Sequence, residues 1–150
     1  MTICFTVPGN PVGKARPRVT RHATYTPPKT KAYEAAVNKA FRTAANAQTF
    51  PDARPLFLFV RGYFSIPKSY PKAKKLSLPG TFHLKKPDGD NVAKAVQDAL
   101  NGVAYPDDSA VCAMASAKWY TGEANGRTEV LLTDNVKTFV SAVVAEVRDG

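Results

Sequence analysis

The residues best suited to chemistry lie close together: Asp88 and Asp90, then Lys94, then the pair Asp107-Asp108. Carboxylates two residues apart point to the same side of an extended backbone, so Asp88 and Asp90 can share one hard cation. Mg²⁺ takes few carboxylates, keeps several waters and completes its shell with substrate phosphates. It polarises a phosphoryl group and lowers the pKa of a bound water until that water attacks at neutral pH. Metal-assisted phosphodiester hydrolysis is the chemistry this pattern suggests.

The elements around these residues must bring them together. From Asn91, apolar residues at Val92, Ala95, Val96, Ala99 and Leu100 follow helical spacing. Asp90 is the expected N-cap and Gly102 the expected stop. The helix N-terminus favours negative charge just before it. A helix over Asn91 to Asn101 is about 16 Å long, and the residues from Gly102 to Asp108 stretch to roughly 23 Å. The chain can therefore return Asp108 to the first pair. Lys94 falls on the same helix face as Asp90, within reach of a phosphate oxygen or of charge developing in a transition state. Each piece also has a simpler reading: Asp90 as a cap alone, Lys94 and Asp98 as a solvated ion pair, Asp107-Asp108 as a turn.

Elsewhere, Thr2 to Val7 reads as a strand and Gly9 to Pro28, broken by Pro11, Pro17, Pro27 and Pro28, as an extended loop. Lys31 to Asn46 carries apolar residues at helical spacing, and Leu56 to Ile66 reads as a buried strand. Pro67 to Gly80 looks exposed, and Thr81 to Lys86 is a further candidate strand. Val111 to Tyr120 and Thr128 to Leu132 read as strands joined across Gly122 to Gly126, with a turn at Asn125-Gly126. A last helix runs through Val136, Phe139, Val140, Val143, Val144 and Val147, capped by Thr133 or Asp134. The fold class expected is α+β: one domain over residues 1–150, with a single mixed or antiparallel sheet and about three helices packed on it.

The 150 residues, 44% hydrophobic and 22% charged, are enough for one domain with its own core. The net charge of +9 is unevenly divided: residues 1–87 hold 16 Lys/Arg and 2 Asp/Glu, net +14, and residues 88–150 hold 5 and 10, net −5. A basic half suits a polyanion, whose released counterions supply affinity independent of sequence. Cys4 and Cys112 are too few for a disulfide framework; in apolar runs they read as small buried hydrophobes. No stretch reaches the roughly 20 apolar residues of a membrane span, and the N-terminus lacks the layout of a signal peptide. A soluble, cytoplasmic protein is expected.

Several templates are excluded. Counted from Asp88, a calcium loop would need an oxygen ligand, Gly and Glu where Val92, Ala93 and Ala99 stand. The run GNPVGKA, Gly9 to Ala15, is one residue short between its glycines for a phosphate loop and has Ala15 where Ser or Thr would hold Mg²⁺. With His22 and His83 the only histidines and no HExxH or GxSxG, zinc-protease and serine-hydrolase readings have no support.

The stretch KPDGDNVAKAVQDALNGVAYPDDSAV, Lys86 to Val111, closely resembles the signature of the RusA family of Holliday junction resolvases, small endonucleases common in bacteria and their prophages. The segment GNPVGKARPRVTRHATYTPPKTKAYE, Gly9 to Glu34, is similar to that family's opening. The resemblance implies a RusA-like homodimer that binds four-way DNA junctions by shape and makes paired, symmetric nicks with Mg²⁺ or Mn²⁺. The family's three essential aspartates fall on Asp88, Asp90 and Asp108 and its essential lysine on Lys94, with Asp107 a neighbour. One departure is Ala110, where the family commonly has Gln, so any contact of that glutamine is in question.

For backbone phosphates the candidates are Lys14, Arg16, Arg18, Arg21, Lys85 and Lys86, with Lys72, Lys74 and Lys75 as a second arm. Tyr25, Tyr70 and Tyr105 are candidates to stack on splayed bases. Two other functions compete: a structure-selective DNA-binding protein that does not cut, and a nuclease of flap or single-stranded substrates. The complete acidic cluster favours cutting, and gel assays on junction, flap and duplex DNA separate the rest.

Overall fold

A computed structural model describes residues 1–149. Its centre is a mixed four-stranded sheet built from β1 (Thr2–Pro8), β4 (Leu56–Ser65), β5 (Val111–Thr121) and β6 (Arg127–Thr133), in the order β1-β6-β4-β5. β6 runs antiparallel to both β1 and β4, and β4 runs parallel to β5. β5 and β6 are consecutive in sequence yet not neighbours, because β4 lies between them. The parallel β4–β5 pair requires a crossover, and that crossover carries α2 (Lys72–Ser77) and α3 (Gly89–Leu100).

Alternation along the strands sends Ile3, Phe5, Val7, Leu58, Val60, Val130 and Leu132 into one core. α1 (Pro28–Ala45) covers it with Tyr33, Val37, Phe41 and Ala45, one residue per turn, and α3 adds Val92, Val96 and Leu100. Truncating a fully buried side chain such as Phe41 to Ala costs about 3–5 kcal/mol in cores of this kind. α1 starts earlier than Lys31 because Pro28 stands in its first turn, where a missing N–H costs nothing. α4 (Val136–Asp149) lies against the opposite sheet face, where Phe139 stacks on Phe57, and it buries no residue fully.

Several expectations are corrected. Thr81 to Lys86 is not a strand: Thr81 and His83 bond to the edge of β5 and form one bridge, Phe82 to Trp119, before the chain turns away. The loop Gly9 to Pro28 contains a small hairpin, β2 (Arg18–Val19) with β3 (Thr24–Tyr25), closed by Thr20 and Ala23. Cys4 and Cys112 are exposed, since Cys4 alternates onto the face that α4 covers incompletely and Cys112 lies on the open edge strand. The cap of α4 is Asn135, whose Oδ1 accepts from the backbone N–H of Lys137 and of Thr138. Thr133 accepts from the Asn135 N–H instead, and Asp134 pairs with the N-terminal amine and Arg54. Gly102 ends the α3 region in the left-handed conformation expected of it, at φ 73°. Among the described residues, no helix is long and apolar enough to cross a membrane.

Candidate active site

α3 organises the site. Asp88, not Asp90, occupies its N-cap position in extended conformation, and Asp90 falls in the first turn. The expected cap at Asp90 is thereby corrected: neither side chain caps the helix. Both residues are exposed, and among the described residues neither carboxylate has a hydrogen-bonding or ion-pair partner. Two free carboxylates at a helix N-terminus, where backbone dipoles favour negative charge, remain available to an external cation.

Asp90, Lys94 and Asp98 follow each other at one-turn spacing along α3. The Lys94 Nζ lies 3.1 Å from Asp98 Oδ1 and 3.7 Å from Asp108 Oδ2. Asp108 is therefore returned to the flank of α3, beside the Lys94 ammonium, along the path its tether allows. The return is held by Tyr105, whose hydroxyl donates to the Gln97 carbonyl at 2.8 Å, and by Gln97, whose amide donates to the Asp108 carbonyl at 3.4 Å. Tyr105 is buried, and burial, with Asp108 and Asp98 nearby, pushes its phenol well above the usual range. It is a structural strut and is not free to stack on a base.

The two neighbouring acids have different places. Asp107 accepts the Ser109 N–H at 2.9 Å and caps the short 3-10 turn Asp108–Ala110; that bond holds its carboxyl below the usual range. Asp108 points instead to Lys94. Ala110 packs half-buried against the core at the end of the turn.

The donor set suits a hard divalent cation, since it consists of the carboxylates of Asp88, Asp90 and Asp108, of which only Asp108 is paired, with Lys94. In the side-chain conformations present, no three potential ligands among the described residues converge closely enough to hold a metal ion.

Beside Asp88 opens a cleft of about 680 Å³ lined by Lys14, Arg16, Arg18, Lys29, Lys86 and Asp88, among others. Four of the six basic candidates thus meet here. Arg21 sits apart in the hairpin turn, and Lys85 turns to the Tyr70 hydroxyl at 2.6 Å. That contact lowers the Tyr70 phenol, whose ring also lies 4.0 Å from Lys74 Nζ, so of the second arm on α2 Lys74 is turned to the same ring as Lys85. Tyr25 is exposed on β3.

Lys14 is placed differently from its neighbours. Its Nζ is 3.1 Å from both Glu34 and Asp98, and its N–H donates to the Asn91 carbonyl at 3.0 Å. Burial alone would lower its pKa, but the Asp98 and Glu34 carboxylates outweigh that and raise it. Lys14 therefore ties the basic loop to α3. Gly13 lets that loop close on the site, because a Cβ there would sit 2.7 Å from Pro87 Cβ. Lys29 in the cleft and Asp98 as a bridge were not singled out from the sequence as site residues. Nothing local marks Lys29 among many lysines; the i,i+4 spacing of Lys94 and Asp98 was the available signal for the other.

An α+β domain with an acidic helix start beside a basic cleft defines a class: proteins equipped to take up a polyanion next to a cluster of carboxylates. Residues 8–133 match the family described as Endodeoxyribonuclease RusA. The chain belongs to the RusA endodeoxyribonuclease family. It is also similar, at 34% identity over 147 residues covering 88% of this chain and 96% of the other, to "Uncharacterized protein YqaN" of Bacillus subtilis (strain 168).

Proposed function

We propose that the protein is a divalent-metal-dependent endonuclease that resolves four-way DNA junctions by paired, symmetric nicks, acting as a homodimer. One observation carries this reading beyond family membership: Asp88 lines the basic cleft, so a backbone phosphate lodged there stands beside the acidic cluster. In this reading Asp88, Asp90 and Asp108 bind Mg²⁺ or Mn²⁺, which supplies a polarised phosphoryl group and an activated water when bound. Lys94, held beside Asp108, offers its ammonium to a phosphate oxygen. Arg16, Arg18, Lys29 and Lys86 hold the flanking backbone, and Lys14 keeps their loop on α3. A two-fold dimer supplies two equivalent sites for two cuts.

The test is cleavage of a labelled synthetic four-way junction with Mg²⁺ at fixed salt, beside flap and duplex controls. The native protein is expected to make paired nicks in the junction, and Asp90→Asn to bind it without cutting. Binding by both proteins with cutting by neither refutes the nuclease reading.

A further inference from the structure

β5 carries a lysine whose position is unlike that of the surface lysines. The Lys118 side chain is half-buried, and its Nζ donates to two backbone carbonyls, that of Lys85 at 2.7 Å and that of Pro87 at 2.8 Å. Among the described residues, no carboxylate lies within ion-pair distance of this ammonium. The two carbonyls flank Lys86, and Asp88 is the next residue after the second.

The local topology explains why a side chain is needed there. The Thr81 carbonyl accepts the Tyr120 N–H at 2.8 Å, and the His83 N–H donates to the Lys118 carbonyl at 2.9 Å, so the chain up to His83 is fixed by the backbone of β5. After His83 it leaves that edge, and the Lys118 side chain reaches the carbonyls that the strand backbone no longer serves. Two residues earlier on the same face of β5, Ser116 sits under Gly89: a Cβ on Gly89 would lie 2.8 Å from the Ser116 Oγ. Asp88 is thus bracketed, with Lys118 holding the residue before it and Ser116 packed against the residue after it. The site residues found by spacing all lie on α3 or its flanking turns. Lys118 comes from the sheet beneath.

We propose that Lys118 is a positioning residue for Asp88: by holding the Lys85 and Pro87 carbonyls on one ammonium, it fixes the chain path that presents the Asp88 carboxylate to a cation. The proposal rests on the reading of Asp88 as a metal ligand. Partners hydrogen-bonded directly to a metal ligand are typically worth roughly 10–100-fold in metal affinity; Lys118 acts one step removed, on the backbone leading into Asp88, so the effect expected lies at the low end of that range.

The experiment is calorimetric titration of the DNA-free protein with Mn²⁺, comparing the parent, Lys118→Met and Asp88→Asn, with a thermal melt of each. Lys118→Met keeps the length and apolar stem but removes the donor; its folded form is expected to bind Mn²⁺ about tenfold more weakly. Lys118→Gln keeps an uncharged amide donor, is expected to lose less, and is read in the same way if the Met variant does not fold. A purely structural role would lower the melting temperature and leave the Mn²⁺ affinity of the folded protein at the parent value, and that result overturns the proposal. If Asp88→Asn weakens Mn²⁺ binding and neither Lys118 variant does, the proposal alone fails. If Asp88→Asn binds Mn²⁺ like the parent, the metal-site reading fails, and this proposal fails with it.

Discussion

At the scale of single residues, Asp98 connects two parts of the site. One oxygen meets Lys94 and the other meets Lys14, each at 3.1 Å, so one carboxylate orients the lysine facing Asp108 and anchors the loop that carries Arg16 and Arg18. Partly exposed pairs of this kind are worth about 0.2–1 kcal/mol each, so the stability at stake is small. The functional cost is expected to be larger, because positioning errors of about 1 Å can cost on the order of 100-fold in rate. Asp98→Asn keeps the shape and removes the charge. It is expected to lower the unfolding free energy by no more than about 2 kcal/mol, the sum of two such pairs, and to slow junction cleavage by tenfold or more. Denaturant melts and single-turnover cleavage measure the two, and a rate like the parent's would exclude the orienting role. The spacing of Asp88, Asp90 and Lys94 was readable in the sequence because a helix start fixes where such residues point. The double role of Asp98 was not, since Lys14 is distant in the chain and meets it only after folding.

At the scale of elements, α1 is bound to the sheet by more than apolar packing. The Tyr33 hydroxyl lies 2.7 Å from the Thr128 Oγ1 on β6, both residues are buried, and burial pushes the phenol up to about 12. An unfolded tyrosine ionises near 10. The neutral phenol is therefore favoured by folding, and its contribution is fully present below pH 10 and lost as the pH rises from 10 to 12. Tyr33→Phe removes that part of the alkaline decline. Urea unfolding at pH 8 and pH 11 should show a smaller loss of stability between the two values in the variant, against a background loss shared with Tyr105, and an identical loss would contradict the assignment. α1, α3 and β1 were legible because each has a clear period and one dominant apolar face, and β4 because its apolar run is nearly continuous, as in a strand covered on both sides. Thr81 to Lys86 has strand-like composition, yet only its first residues find backbone partners on the β5 edge before the chain turns away, and composition does not reveal where a chain leaves an edge. The insertion of β4 between β5 and β6 was equally hidden, since a turn at Asn125-Gly126 is compatible with either neighbour.

At the scale of the molecule, the charge asymmetry of the sequence becomes a surface feature. The net +14 of residues 1–87 is partly gathered into the cleft beside Asp88, where Lys29 at the start of α1 joins Arg16, Arg18 and Lys86. α4 lies across the opposite sheet face, and Lys137 there is exposed and remote from the cleft. A basic half suggested a polyanion from the sequence alone, but which lysines face it depends on how α1 and α3 align their N-termini. Each phosphate neutralised by a protein cation steepens the dependence of log affinity on log salt by roughly 0.9 on duplex DNA. Junction binding measured in EDTA, which on the proposed mechanism prevents cutting, is therefore expected to weaken steeply with salt. Lys29→Ala should reduce the magnitude of that slope by roughly 0.9, one phosphate contact, and Lys137→Ala should leave it unchanged. Equal effects of the two would mean that net charge alone draws the DNA in. A loss confined to Lys29 would locate the backbone in the cleft, next to Asp88.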